Sequence, residues 1–84
     1  MTIQQLKYVL MVSEAGSITE AAKKLFISQP SLSNAIREIE KEAGISIFSR
    51  SRTGITLTKE GMEFLGYARQ VILTLVECIY GMLK

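Results

Sequence analysis

The chain has 84 residues, enough for one small domain, and a core this small makes a stabilising partner surface a reasonable expectation. Its composition, 48% hydrophobic and 21% charged, is typical of a folded domain and argues against disorder. The sequence has no histidine and one cysteine, Cys78, which excludes an intramolecular disulfide and a zinc site. We therefore expect no metal, no cofactor and a reducing, cytoplasmic compartment.

The ends of the chain carry no membrane or export signal. The first twelve residues lack the basic start and the small-residue cleavage pattern of a signal peptide. The most apolar stretch, residues 71–83, contains Thr74, Glu77 and Gly81 and is shorter than the about 20 residues that cross a bilayer. We expect a soluble protein with no membrane partner.

Positive charge is distributed unevenly along the chain. The net charge is +2, and residues 1–57 carry seven basic against five acidic side chains, whereas residues 58–84 carry three of each. A surface that binds nucleic acid is therefore expected within the first two thirds.

Capping residues predict the first two helices. The first helix begins after Thr2 and continues to Ala15, where Gly16 ends it in a left-handed conformation. Its core stripe is predicted to consist of Ile3, Leu6, Leu10 and Ser13, with Val9 beside them. Ser17 and Glu20 have the spacing of a capping box, which predicts a short helix over residues 18–25.

A third helix follows after a connection of only three residues, 26–28. Ser28 caps it, Pro30 falls in its first turn, where a missing N–H is tolerated, and Gly44 ends it. Two helices joined by so short a turn have the outline of a helix-turn-helix.

The rest of the chain predicts a hairpin and a long helix. Residues 45–48 and 55–57 are short β-prone segments around a turn that includes Gly54. Thr58 then caps a last helix that continues toward Leu83 and would be about 39 Å long. The predicted fold is mostly α: a winged helix-turn-helix of three helices and a β-hairpin wing over residues 1–57, followed by a dimerisation helix over residues 58–84.

The third helix has one apolar and one positive face. At 100° per residue, one stripe is formed by Leu32, Ala35, Ile36, Ile39 and Ala43, which must face the core. The opposite stripe is formed by Pro30, Asn34, Arg37 and Lys41, with Ser33 at its edge.

That positive face suits the major groove of DNA. The short polar residues near its start, Ser33 and Asn34, suit base edges, and Gln29 can make a bidentate contact to adenine. Arg37 and Lys41 could contact phosphates, and the helix start at Ser28 is itself an anion site. An ordinary solvated helix face has the same composition, so the helix alone leaves both interpretations open.

The predicted wing carries Arg50 and Arg52, and no acidic residue lies between Glu42 and Glu60. Arginines at a hairpin tip suit phosphates or a narrow minor groove. A solvated turn is the alternative, but the neighbouring positive helix favours a DNA contact.

The last helix has more apolar surface than its own chain is expected to cover. The predicted dimer interface consists of Ala68, Ile72, Leu75, Val76, Ile79, Met82 and Leu83. A cofactor-binding surface would need convergent polar groups, and a membrane-surface helix would need a basic face; both are lacking here. Cys78, in the same stripe, is interpreted as a small buried hydrophobic residue.

Two glycines in this helix are expected to allow close packing. Gly61 and Gly66 would let it lie against the first helix, whose Tyr8, Met11 and Val12 point away from the core stripe.

One extended pattern closely resembles the LysR-type transcriptional regulators. It consists of Ala21-Ala22-Lys23-Lys24-Leu25-Phe26-Ile27-Ser28-Gln29-Pro30-Ser31-Leu32-Ser33, then Ile36, Ile39-Glu40, Gly44, Phe48, Arg50 and Leu57-Thr58. The resemblance covers nearly the whole chain. It implies a winged helix-turn-helix on a dimerising linker helix. In such proteins an effector-binding domain of two α/β lobes normally follows, and this domain is absent from the present chain.

The resemblance also assigns site residues. It places Ser28, Gln29, Pro30, Ser33, Asn34 and Arg37 in the recognition helix and Arg50 in the wing. The chain departs from the family pattern at Thr53, where a second wing arginine is common and Arg52 could substitute, and at Glu60, where alanine is usual.

The function expected from these features is sequence-specific binding of double-stranded DNA by a homodimer, as the DNA-binding module of a LysR-type regulator. The alternative is a winged-helix adaptor that binds other proteins, although an adaptor would not need the positive face. An enzyme is not expected, because the chain has no histidine and no aspartate from which to assemble a catalytic pair.

Overall fold

The structure is a computed structural model that describes residues 1–52 and 54–83, so Thr53 lies outside the described residues. Its elements are, in chain order, α1 (Ile3–Ala15), α2 (Ile18–Leu25), α3 (Gln29–Ala43), β1 (Phe48–Ser51), β2 (Gly54–Leu57) and α4 (Lys59–Met82). This order and the mostly helical fold class confirm the prediction. No helix in the described part of the chain is both long enough and apolar enough to cross a membrane.

The helix ends are formed by the predicted residues. Thr2, Ser17, Ser28 and Thr58 each accept a backbone N–H of the helix that they start. Gly16 and Gly44 adopt the left-handed conformation, with φ of 67° and 72°. A sequence can specify such ends because they depend on residues only a few positions apart.

One capping box was predicted at the wrong helix. At Ser17 only half of it forms, because the Glu20 carboxylate lies 3.5 Å from Lys23 Nζ instead of reaching back to the cap. The complete box is at Thr2, where the Gln5 side chain accepts from the Thr2 N–H.

The core lies between α1, α2, α3 and the start of α4. Its fully buried members include Val9, Val12, Leu32, Ile39 and Ile47. The prediction that Val12 points away from the core was wrong, because α1 contacts α2, α3 and α4 and is therefore buried on more than one face. Ile3, predicted as core, is instead partly exposed.

The first wing strand begins three residues later than predicted. Residues 45–47 have no strand partner, and β1 starts at Phe48. The backbone of Ile47 is held instead by Glu40 on α3 and by Thr58, whose N–H donates to the Ile47 carbonyl over 3.0 Å. The strands are antiparallel, with Phe48 opposite Leu57 and Arg50 opposite Ile55.

The glycines of α4 have other neighbours than predicted. Gly61 packs against the Ile47 backbone rather than against α1, and a Cβ placed on Gly66 would meet nothing within 4 Å. Leu65 belongs to the core cluster, so the start of α4 is packed into the same body as the wing and the first three helices. A domain boundary after residue 57 stays a prediction.

Candidate nucleic-acid interface

The two faces of α3 lie as the periodicity predicted. Leu32, Ile36 and Ile39 are buried. On the opposite side, the predicted contact residues Pro30, Asn34, Arg37 and Lys41 are exposed, and Ser33 is half-buried at the edge of the stripe. Gln29, at the start of the helix, is exposed as well. A ligand that approaches this face would meet a narrow and mostly polar surface with two positive charges.

Ser28 is engaged in starting the helix. Its hydroxyl accepts from the Ser31 N–H over 3.2 Å and donates to the Ser31 hydroxyl over 2.8 Å. The hydroxyl of Ser28 therefore positions Gln29 and Pro30, which follow it directly. Any contact of Ser28 with a ligand would add to this capping function.

The register of the wing places Arg50 on the face of the hairpin that packs against the core. Side chains two residues apart lie on the same face of a strand, so Arg50 shares a face with Phe48, which packs against the core together with Ile55 and Leu57. Arg50 thus lies on the inward face of the hairpin although its own side chain is exposed.

A shallow groove of about 240 Å³ joins the wing to the helix-turn-helix. Both predicted wing arginines, Arg50 and Arg52, line it together with Gln29 at the start of α3. Its remaining lining residues are Ser17, Ile18, Thr19, Ser51, Gly54 and Ile55. The structure therefore brings the start of the predicted reading helix and the wing to one concave surface.

Sequence reasoning had not assigned Ser17 and Thr19 to this surface. They lie at the start of α2, where amides without helical partners and the helix dipole favour an anion. The only signal in the sequence was the helix start at Ser17, which fixes where α2 begins but not what faces it.

Among the described residues, the predicted basic contact residues of α3 and of the wing are not paired with carboxylates. Within the described part of the chain, no ion pair engages Arg37, Lys41, Arg50 or Arg52. The nearby acidic residues have other partners: Glu42 binds the terminal amine over 2.8 Å, and Glu40 accepts two backbone N–H groups. The positive potential is thus available to an anionic ligand.

Phe26 is a further residue that sequence reasoning did not assign. It ends α2 in the left-handed conformation, with φ of 57°, and its side chain is 94% exposed. Among the described residues it is the one non-glycine residue with a positive φ. It lies in the turn between α2 and the predicted reading helix.

The predicted dimer surface on α4 is mostly exposed in the single chain. Leu75, Val76 and Ile79 are between 40% and 49% exposed. Met82 and Leu83 are more exposed still. Ala68 must be removed from this surface, because it is 2% exposed and packs within its own chain.

Two other residues of the α4 stripe differ from each other in their exposure. Ile72 is half-buried and lines a hollow of about 230 Å³ with Leu10, Glu14, Arg69 and Leu73. Cys78 is exposed in the single chain, so its predicted burial requires a second copy and stays a prediction.

More apolar side chains are exposed on α4 than the predicted stripe contains. Additional exposed residues are Tyr67, Val71, Leu73 and Tyr80. A shallow depression of about 360 Å³ is lined by Tyr67, Gln70, Val71 and Thr74. The uncovered apolar surface therefore extends around much of the helix beyond Ala68, which is typical of an interface rather than of a solvated helix.

Together these elements define a winged helix-turn-helix of the kind that occurs in DNA-binding regulators. A family model described as a bacterial regulatory helix-turn-helix protein of the lysR family matches residues 3–62. The chain belongs to this family, and the fold described above is its helix-turn-helix DNA-binding domain.

Relatives support the same assignment. The HTH-type transcriptional regulator TfdT of Cupriavidus pinatubonensis is 44% identical over 72 residues, which are 86% of this chain and 32% of that protein. The HTH-type transcriptional regulator TcbR of a Pseudomonas species is 40% identical over 72 residues, 86% of this chain and 24% of that protein. The chain thus spans about a third or less of these relatives.

Solved structures share the fold. The structure of the CbnR DNA-binding domain in complex with DNA has a TM-score of 0.88 and 37% identity, and the match covers 93% of this chain and 90% of that chain. The complex of the BenM DNA-binding domain with catB site 1 DNA has a TM-score of 0.91 and 34% identity, covering 98% and 92%. Full-length BenM matches all of this chain and 28% of its own, with a TM-score of 0.92 and 33% identity.

Proposed function

We propose that this chain binds double-stranded DNA sequence-specifically as a homodimer, as the DNA-binding module of a cytoplasmic LysR-type transcriptional regulator. The α3 helix enters the major groove, where Gln29, Ser33 and Asn34 contact base edges. Arg37 and Lys41 contact phosphates further along the same helix. Arg50 and Arg52 contact the backbone or the adjacent minor groove from the wing.

The observation that carries this proposal is the common groove of Gln29, Arg50 and Arg52, together with four cations that form no ion pair with the carboxylates of the described residues. A protein–protein adaptor has no need for such a surface, whereas a polyanion neutralises it directly. The likeness to the DNA-binding domains of CbnR and BenM, whose structures contain DNA, supports the same proposal. The proposed role is binding and not catalysis, since the chain has no histidine and no aspartate.

The homodimer forms through α4. Beyond Ala68, the apolar side chains of α4 are exposed in the single chain. A second copy related by two-fold symmetry would bury them. Such symmetry also sets two α3 helices on one side of the duplex, which matches an inverted-repeat site.

A salt titration tests the proposal. The duplex is first selected from random DNA by the unmodified chain, and its affinity is then measured between about 50 and 200 mM salt, where displaced counterions should weaken binding steeply. The variant with Arg37, Lys41, Arg50 and Arg52 all changed to Ala should lose most of this salt dependence. An affinity that does not change with salt contradicts the proposal.

A further inference from the structure

Glu40 connects the recognition helix directly to the wing. It lies near the end of α3, and its Oε2 atom accepts the Ile47 N–H over 2.7 Å and the Phe48 N–H over 3.3 Å. Ile47 is the last residue of the connection, and Phe48 is the first residue of β1. One carboxylate oxygen on the helix therefore holds the two residues at which the wing begins.

Residues 45–47, which precede β1, have no strand partner, so their backbone N–H groups need other acceptors, and the Glu40 carboxylate is one of them. The Ile47 side chain is fully buried, so its backbone N–H has no access to bulk water as a substitute. A bond from an N–H to a charged carboxylate is roughly twice as strong as one to a neutral acceptor. The other side of Ile47 is held by Thr58, which binds the Ile47 carbonyl through its N–H and its hydroxyl.

The same bonds act two residues before Arg50. Arg50 follows Phe48 by two residues and is on the same face of β1, so a shift of Phe48 relative to α3 would move Arg50 by a similar amount. Arg37 and Lys41 are on α3 itself, the helix that carries Glu40. Glu40 thus links the helix that carries Arg37 and Lys41 to the strand that carries Arg50.

We propose that Glu40 is a positioning residue for DNA binding, which holds Arg50 in register with the α3 face so that helix and wing contact the duplex as one unit. This inference rests on the proposed DNA-binding function. Glu40 itself contacts no DNA, and its negative charge would oppose binding if it acted directly.

The test measures how much Arg50 contributes to the salt dependence of DNA binding when Glu40 is present and when it is replaced. Removing one phosphate contact lowers the slope of log affinity against log salt by about 1. We expect Arg50→Ala to cause this loss in the unmodified chain and to cause almost none when Glu40→Leu is also present. The unmodified chain, Arg50→Ala, Glu40→Leu and the double variant are compared at a temperature at which circular dichroism shows all four to be folded.

Glu38→Gln is the matched control, because it removes the same charge from the same helix at a side chain whose one bond within the described residues is to Gln5 on α1, over 3.4 Å. In that background Arg50→Ala should still lower the salt slope by about 1. An effect of net charge alone would make Glu38→Gln and Glu40→Leu alike. A purely structural role of Glu40 would lower stability while leaving the Arg50 contribution intact, and that result overturns the inference.

Glu40→Gln supplies the test if the leucine variant does not fold. It keeps an oxygen acceptor but removes the charge, so the Ile47 and Phe48 amides should exchange their hydrogens several-fold faster than in Glu38→Gln. The Arg50 contribution to the salt slope should be smaller than in the unmodified chain. Unchanged exchange and an unchanged Arg50 contribution in folded Glu40→Gln overturn the inference.

Failure of the inference and failure of the proposed function are distinguishable. If the unmodified chain binds the selected duplex with no salt dependence, the proposed function fails and the inference fails with it. If the unmodified chain binds with the expected slope but Arg50→Ala lowers the salt slope equally with Glu40 present and in the Glu40→Leu background, only the inference fails.

Discussion

Gly61 lies so close to Ile47 that a Cβ atom at position 61 would overlap the Ile47 carbonyl oxygen and lie 2.9 Å from the carbonyl carbon. This contact joins the first turn of α4 to Ile47, the residue directly before β1, whose backbone also binds Thr58 and Glu40. The obstacle is backbone and not a flexible side chain, so an added methyl group can be accommodated only if one of the two segments moves.

We predict that Gly61→Ala lowers the free energy of unfolding by about 1–3 kcal/mol through overpacking. Gly66→Ala is the matched control in the same helix, because a Cβ there meets nothing within 4 Å. It should raise the free energy of unfolding by about 1 kcal/mol through helix propensity. Urea unfolding measures both, and equal effects of the two substitutions would contradict the packing of α4 against Ile47.

Phe26 is predicted to be held in an unfavourable backbone conformation without compensating burial. A non-glycine residue in the left-handed region costs about 1–2 kcal/mol, and the 94% exposed side chain buries little in return. Phe26→Gly should therefore leave the free energy of unfolding unchanged or raise it by up to about 1 kcal/mol.

Arg37→Gly serves as the control for this substitution. It places glycine in the interior of α3, where it should lower the free energy of unfolding by about 1 kcal/mol. A loss of the same size for Phe26→Gly would show that the conformation at position 26 is not strained.

Base-contacting and phosphate-contacting residues should respond differently to the DNA sequence. Gln29→Ala and Asn34→Ala should weaken binding to the selected duplex by about 1–3 kcal/mol and binding to random DNA much less, because a lost base contact removes discrimination. Arg50→Ala should weaken both more evenly and reduce the salt slope by about 1. Equal losses on both duplexes for Gln29→Ala would assign that residue to positioning and not to base recognition.

The α4 surface should determine the oligomeric state. Ile79 is 49% exposed in the single chain, so burying its remaining surface contributes about half of the ~1.5–3 kcal/mol that complete burial of such a side chain gives. Two-fold symmetry places two copies of it in the interface, so Ile79→Lys should give a monomer that binds an inverted repeat much more weakly. Sedimentation of the unmodified chain should show a dimer.

Glu77→Lys is the control for this variant. It places a lysine on the same helix two residues earlier, about 160° away around the axis, and should remain a dimer. Ile72 is less suited to the test, since its half-buried side chain also packs within its own chain. A monomeric unmodified chain at high micromolar concentration would contradict the dimer.

Local signals in the sequence specified the elements and the reading face. Gly16 and Gly44 end their helices, and Ser28 and Thr58 start theirs, because a cap involves backbone groups only three or four residues away. The separation of Leu32 and Ile36 from Asn34 and Arg37 follows from the 100° period of a helix and needs no knowledge of neighbours. The exposure of the predicted α3 contact residues could therefore be derived before any tertiary contact was known.

Contacts between distant segments decided the remaining features. The start of β1 at Phe48 depends on Glu40, the packing of Gly61 depends on Ile47, and Val12 is buried because α1 has neighbours on several sides. Ala68 and Leu75 lie in one stripe of α4, yet only the first is covered, because the body of the chain extends alongside the start of the helix and not its end. Periodicity specifies which side chains share a face, whereas which segment lies against that face depends on how the whole chain packs.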